Sequence, residues 1–187
     1  YRALGAPVPL LTTPVGVPKA AFADRTGPGD PRALLFLGAL DWRPNVEAVR
    51  WFLGTAWPLV RRAVPDARFL VAGSNPPPEL LRSVAGEGVR FLGRVPDARD
   101  FLASGAAMVV PLLSGAGMRV KILEAMALGV PVVSTGLGAA GIGARNGEEI
   151  VLADTPESLA GACAALLTAP EKALAIGRAG QRRVRAA

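Results

Sequence analysis

Six short apolar runs, separated by segments of helical pattern, are the feature that most constrains this chain. They are Ala33–Leu37, Arg68–Ala72, Val89–Leu92, Met108–Val110, Val132–Ser134 and Ile150–Leu152, and the first three end at Gly38, Gly73 and Gly93. Runs that are nearly continuous in apolar residues, rather than alternating, predict strands covered on both faces. Between them, Val46–Arg62 carries Val46, Val49, Phe52 or Leu53, Trp57 and Val60 at three- and four-residue steps, opened by Pro44 or Asn45. Pro58 inside it predicts a kink or an early end. Shorter helices are expected at Glu79–Val84, behind three prolines, and at Asp97–Ala103, with Asp97 as N-cap. Val120–Leu128 should stop at Gly129 in the C′ position, and Pro156–Leu167 and Pro170–Ala186 each begin on a proline. Strand–helix alternation of this kind implies an α/β fold with a Rossmann-like, doubly wound parallel sheet. Ligands then bind beyond the carboxyl ends of the strands, at the loops after Leu37, Ala72, Leu92, Val110 and Ser134.

The 187 residues suffice for one ordinary domain. Residues 1–32 are rich in Pro and Gly without periodicity and read as a linker or lead-in, leaving 33–187 as the domain. Tyr1–Thr13 lacks the pattern of a secretory signal. No apolar run reaches the roughly 20 residues of a spanning helix, and Ala106–Leu113 is cut by Pro111. The single cysteine, Cys163, forms no internal disulfide and fits a reducing compartment; it reads as a small buried filler among alanines rather than a reactive thiol. Histidine is absent, which excludes a histidine-based triad or a histidine-ligated metal within the chain. Net charge is +6, with Arg178, Arg182, Arg183 and Arg185 crowded near the end. A solvated helix face explains them; attraction to an anionic membrane or an acidic ligand is the alternative. Aromatic residues do not interleave with the cations, so nucleic acid is not an expected partner.

The chemistry concentrates between Pro111 and Thr135. A strand runs into the glycine loop Ser114-Gly115-Ala116-Gly117 and then into a helix. Small residues let backbone N–H groups approach an anion, and the helix start adds partial positive charge. Arg119 and Lys121 bring two full charges to the same place, so the stretch reads as a diphosphate site. The competing reading is a tight turn with two solvent-facing cations. Glu124, in an otherwise apolar helix start, suits the vicinal hydroxyls of a ribose; alternatively it faces water beside its helical neighbour Lys121.

Ile122-Leu123-Glu124-Ala125-Met126-Ala127-Leu128-Gly129-Val130-Pro131-Val132-Val133-Ser134 resembles the sugar-nucleotide motif of GT-B retaining glycosyltransferases, and Gly38 through Gln181 follows that family's order of elements. The resemblance implies one half of a GT-B fold, binding a UDP- or GDP-linked sugar for retaining transfer to a polysaccharide, lipid or other acceptor, with no metal or cofactor. No Asp-x-Asp is present. In the family, Glu124 is the second member of a Glu-x7-Glu pair and holds the donor ribose. Ala116 stands where the first glutamate would be, and the stretch instead matches a sub-group with glycines and an Arg-x-Lys before the Leu-Glu. The loop after the first strand, Gly38 to Asn45, normally carries an Arg after the glycine and a Lys further on, both on the diphosphate. Here Ala39 replaces the first and Arg43 lies one residue short of the second, so Arg43, Arg119 and Lys121 are the expected catalytic cations. Gly38, Gly115 and Gly117 would approach the donor, and the backbone of Val95 would read the base. Trp42 is expected in the core or in a domain contact. Thr13–Pro18 resembles the passage between the family's two domains. The expectation is therefore a cytoplasmic fragment, at the inner face of a membrane or free, that lacks an N-terminal acceptor domain and is inactive alone. A GT-B epimerase or phosphorylase, or a non-catalytic nucleotide-binding module, stays open as an alternative.

Overall fold

The computed structural model describes residues 29–83 and 86–186, together with Gly5 and Val17. Most of 1–32 lies outside these, including the interdomain segment expected at Thr13–Pro18. Six parallel strands form one sheet: β1 (Asp30–Leu37), β2 (Arg68–Ala72), β3 (Val89–Gly93), β4 (Gly105–Val110), β5 (Val132–Ser134) and β6 (Val151–Leu152), in the order β3-β2-β1-β4-β5-β6. Residues Leu34 and Leu35 of β1 pair with Phe69 and Leu70 on one side and with Ala107 and Met108 on the other. The chain winds outward from β1 to β3, returns to β4 and winds outward in the opposite direction. Parallel crossovers of one hand then place the connecting helices on opposite faces.

The core shows that division. Leu34, Phe36, Phe69, Val71, Val109 and Val133 point to one face, against Val49, Phe52, Trp57 and Val60 from the first helical segment and Leu159 and Cys163. Met108, Val110 and Val132 point to the other, against Leu102, Ile122 and Met126. Inner strands buried on both faces account for the continuous apolar runs. Cys163 is fully buried, in keeping with a filler role, and burial raises its thiol pKa far above the ordinary range.

Two element ends differ from the sequence expectation. β1 begins at Asp30, inside the segment read as a linker, because Asp30 N–H donates to the Ser104 carbonyl (2.7 Å) and the Asp30 carboxylate meets Arg68. The long helix expected over Val46–Arg62 is α1 (Arg43–Trp51), a π-helical turn (Phe52–Ala56) and α2 (Trp57–Ala63). The irregularity precedes Pro58 rather than following it. A proline ring displaces the carbonyl four residues earlier, here that of Gly54, and a wider turn relieves the clash without ending the helix.

The remaining helices are α3 (Pro78–Ser83), α4 (Ala98–Ala103), α5 (Val120–Ala127), α6 (Pro156–Thr168) and α7 (Pro170–Arg185). Asp97 caps α4 by accepting from Arg99 N–H at 2.7 Å, and this bond holds its carboxyl below the usual range. α5 ends as expected at Gly129, with Val130 N–H reaching the Ala125 carbonyl (2.9 Å) and Gly129 N–H the Met126 carbonyl (2.9 Å). α6 and α7 meet at 105°, which carries the chain round to pack α7 on α5. α7 turns Ala173, Ile176, Gly177 and Gly180 inward and leaves Arg178, Arg182, Arg183 and Arg185 exposed. No single helix among the described residues is long and apolar enough to cross a membrane.

The seam between α5 and α7 depends on absent side-chain atoms. A Cβ on Gly177 would lie 2.1 Å from the Gly129 carbonyl oxygen. Gly177→Ala should gain about 1 kcal/mol of helix propensity yet lose more by forcing the helices apart, for a net destabilisation of about 1–3 kcal/mol. Gly161, exposed in α6 with nothing within 4 Å of a built Cβ, is the control: Gly161→Ala should stabilise by roughly 0.5–1 kcal/mol. Urea unfolding of both variants checks the signs, and a stabilised Gly177→Ala would contradict the packing account.

Candidate functional site

The winding direction reverses between β1 and β4, and two of the three sequence-predicted cations, Arg119 and Lys121, lie there. Lys121, in the first turn of α5, reaches across to the end of β1. Its Nζ donates to the Leu37 carbonyl at 3.0 Å and to Asn45 Oδ1 at 3.1 Å, and lies 4.4 Å from the centroid of the Phe36 ring. Asn45, 5% exposed, completes the knot by donating Nδ2–H to the Ala39 carbonyl at 2.8 Å. Gly38 leaves room for this arrangement: a Cβ there would sit 2.7 Å from Asn45 Nδ2 and 3.1 Å from Lys121 Nζ. Burial, and secondarily the charge of Arg119, lowers the Lys121 pKa from 10.5 to about 7.

Arg119 is 7% exposed and folds back over the glycine loop. Its Nη1 donates to the carbonyls of Ala116 and Gly117, and its guanidinium carbon lies 5.4 Å from the centre of the Trp42 ring. Its Nε is buried with no hydrogen-bond partner among the described residues. Gly115 has φ +106°, a conformation that L side chains rarely adopt, and a Cβ there would strike both Arg119 and Trp42. Ser114 anchors the start of the loop by donating Oγ–H to Glu47 of α1 at 2.6 Å. No carboxylate among the described residues pairs with Arg119 or Lys121, and no side chain caps the start of α5. Two unneutralised cations, free helix N–H groups and a glycine loop therefore converge on one place.

The site sequence and the site structure differ in several respects. Arg119 and Lys121 are not the solvent-facing cations of the competing reading. Trp42 is not a core residue: it is 41% exposed and stacked on Arg119. Arg43 opens α1 on the exposed surface, and no contact joins it to Lys121 among the described residues. Glu124 is half-buried, its carboxylate without a partner among the described residues; Lys121 turns away to β1 rather than pairing with it. Asn45, Phe36, Glu47 and Ser114 were not singled out as site side chains. Asn45 was legible in one respect: Pro44 favours a helix start ahead of it, which places Asn45 inside the first turn, with its amide free for another task.

Beside this knot an open cleft of about 680 Å³ is lined by the loops after β1, β2 and β3. Leu37, Gly38, Ala39, Gly73, Arg94 and Val95 contribute to it, so Gly38 belongs both to the cleft and to the lysine contact. Val95 is thus in the cleft wall, and Gly117 stands at its own positive φ of +84° in the glycine loop beside the α5 start.

The lowered pKa of Lys121 has a consequence for stability. Between about pH 7 and 10.5 the unfolded chain binds more protons at this residue than the folded one, so stability should rise with pH across that window. Cys163, with its raised pKa, acts in the opposite direction once the unfolded thiol ionises. The clean interval is therefore pH 7 to about 8.5. Denaturant midpoints over that range should climb for the native chain and stay flat for Lys121→Met; parallel curves would remove Lys121 as the cause.

A model of the family Glycosyl transferases group 1 matches residues 31–169. The phosphatidyl-myo-inositol mannosyltransferase of Mycobacterium tuberculosis is 34% identical, over 97% of this chain and 51% of that protein. The uncharacterized 44.6 kDa protein in the cps region of Klebsiella pneumoniae is 29% identical, over 65% of this chain and 33% of its own length. The chain thus spans between 33% and 51% of these two relatives. Among solved structures, the C-terminal domain of a glycosyl transferase group 1 family protein (LpcC) from Francisella tularensis superposes with a TM-score of 0.70 at 17% identity, over 91% of this chain and 97% of that one. Anabaena Alr3699/HepE in complex with UDP and glucose does so with a TM-score of 0.67 at 16% identity, over 83% of this chain and 44% of that one. At such identities these two show the fold, a Rossmann-like half of a GT-B glycosyltransferase. On the family match and the long alignment to the mannosyltransferase, the chain belongs to the glycosyl transferases group 1 family.

Proposed function

We propose that this domain binds the nucleotide-sugar donor of a retaining glycosyltransferase, in the crevice where β1 and β4 diverge. The observation that carries the reading is the convergence of the Lys121 ammonium, the partly unpartnered Arg119 guanidinium and the uncapped start of α5 on the Gly38 end of the cleft. No acidic side chain neutralises that charge, which suits a diphosphate. The HepE structure, bound to UDP and glucose, supports a nucleoside diphosphate as the ligand of this fold, and the mannosyltransferase relatives support sugar transfer. The donor would be linked to uridine or guanosine.

On this reading the diphosphate lies between Gly38 and the loop of Gly115 and Gly117. The ribose hydroxyls reach the Glu124 carboxylate, and the base enters the cleft against the backbone at Val95. As the bond from the sugar to the diphosphate breaks, negative charge grows on the departing phosphate oxygens. Lys121, Arg119 and the α5 N–H groups are already in place to receive it, so little reorganisation accompanies that step. Arg43, exposed at the head of α1, would meet the outer phosphate face. The acceptor would dock on a further domain, as the greater length of the relatives suggests.

Titration calorimetry tests the reading directly. The chain should bind UDP or GDP, and adenine nucleotides less well. Glu124→Ala should weaken the nucleoside diphosphate about tenfold or more, the equivalent of roughly 1.5–3 kcal/mol for a hydrogen bond to a charged acceptor, and leave inorganic pyrophosphate nearly unaffected. Equal losses for the two ligands would reject the ribose role, and no binding of any nucleoside diphosphate at about millimolar concentration, the weak end of measurable affinity, would reject the donor site.

A further inference from the structure

We propose that Asn45 is a positioning residue of the anion site, holding the ammonium of Lys121 over Gly38 at the mouth of the crevice. The proposal rests on the donor-site reading above and extends it to a residue that contacts no ligand.

Asn45 is a buried polar side chain with both ends engaged. Nδ2–H goes to the Ala39 carbonyl at 2.8 Å, and Oδ1 accepts from Lys121 at 3.1 Å. The first bond fixes the amide's orientation, because a flipped amide would present a donor to the ammonium and an acceptor to a carbonyl. The loop after β1 therefore sets which atom faces Lys121. The ammonium has three N–H donors. Leu37 and Asn45 take two, which leaves one N–H without a hydrogen-bond acceptor, beside a glycine that lines the cleft. An amide suits this task where a carboxylate would not. It orients the ammonium without cancelling its charge, so the charge stays available to an anion.

The same contact governs when the charge is present. The groups around the ammonium are the Leu37 carbonyl and Phe36 ring from β1, the Asn45 amide from α1, and Arg119 just ahead of α5. Burial and Arg119 oppose protonation and bring Lys121 to about 7. Asn45 and Leu37 accept from the protonated form and favour it. Removing the Asn45 acceptor should therefore lower the titration midpoint, and Asn45→Asp should raise it. A bound phosphate favours the protonated form, so anion affinity should fall as pH rises through the midpoint.

The chain has three lysines, Lys19, Lys121 and Lys172, so carbon-labelled lysine spectra of the ligand-free protein can follow each one. The Lys121 midpoint should move down by about a unit in Asn45→Ala and up by about a unit in Asn45→Asp, which keeps the side chain's size but gives up the bond to the Ala39 carbonyl. Pyrophosphate affinity, measured by calorimetry from pH 6 to about 8.5, should track the midpoint in the native chain and in Asn45→Ala, whereas Asn45→Asp should bind pyrophosphate no more tightly despite its higher midpoint, because its carboxylate cancels the charge; Lys121→Met removes the lysine's contribution while leaving the phosphate's own titration near pH 6. At pH 7.5, Asn45→Ala should bind pyrophosphate about tenfold more weakly than the native chain. A purely structural role for Asn45 would weaken binding equally at every pH, with the midpoint unmoved; that outcome would overturn the proposal. A midpoint that moves in Asn45→Ala while affinity does not follow would overturn it as well. Absence of pyrophosphate and nucleotide binding by the native chain would instead bring down the donor-site reading, and this proposal with it.

Discussion

The interior position of one ammonium group organises the binding end of this domain. An amino group moved out of water must be met by acceptors, or it gives up its proton. Lys121 is met by the last carbonyl and the Phe36 ring of β1 and by an amide on α1, partners that lie 76 residues or more from it in the sequence. Because none of these partners is a carboxylate, the meeting point ties the loops together without neutralising itself. Arg119 repeats the pattern with the carbonyls of its own glycine loop and the face of Trp42. An ion pair would have served stability as readily, but it would have left no net charge in the crevice. The choice of neutral acceptors leaves the charge of this junction unpaired by any carboxylate among the described residues, as the proposed anion site requires.

That junction is useful only if α5 cannot shift, and the far end of the helix is as firmly held. The carbonyls of its last turn are taken up by the backbone bonds around Gly129, and the Ala127 carbonyl accepts from Gln181 of α7 at 2.9 Å. Gly177 and Gly180 let α7 approach the backbone at Gly129 and Glu149 closely enough for that bond. Thus two glycines on the last helix, remote from the crevice, fix the register of the helix that delivers Lys121 and presents Glu124. The basic residues of α7 belong to the opposite, exposed side of the same helix and take no part in this packing.

The sequence was most legible where a single physical rule decides. Buried parallel strands must be continuously apolar, so β2 and β5 coincide with their expected runs, and Asp97 and Gly129 cap the ends that their side chains and φ angles favour. It was less legible where two rules compete. Pro58 predicts a kink or an early end; the structure has a π turn just ahead of it, which absorbs the clash while Phe52 and Trp57 pack together in the core. Trp42 was expected in the core or in a domain contact; within this domain it is exposed and lies against the Arg119 guanidinium. In the site, residue type and proximity in sequence pointed to Arg119, Lys121 and Glu124. They could not point to Asn45 or Glu47, whose roles arise from contacts across 76 and 67 residues.

The missing charges of the first loop and the extra charges of α5 belong to one arrangement. Where the family resemblance leads one to expect an Arg and a Lys on the loop after β1, this chain has Ala39 and a displaced, exposed Arg43. The Lys121 ammonium nevertheless lies at that loop, brought there by a helix from the far side of the switch point. A cation on a loop must be ordered by its ligand, at a cost in conformational entropy. A cation held from a helix whose two ends are anchored is ordered beforehand. On the donor-site reading proposed above, the sequence change moves the source of the charge to α5 while keeping it at the loop after β1. It also explains why Ser114 and Glu47 are joined: with the positive end of the site fixed from α5, the glycine loop is the part left to be held, and that bond ties its first residue back to α1. Ala116, where a glutamate would otherwise stand, then lies on the free stretch of that loop, its carbonyl accepting from Arg119. A negative side chain at that point would face a cation already engaged, whereas a methyl group leaves the uncompensated charge of the crevice intact.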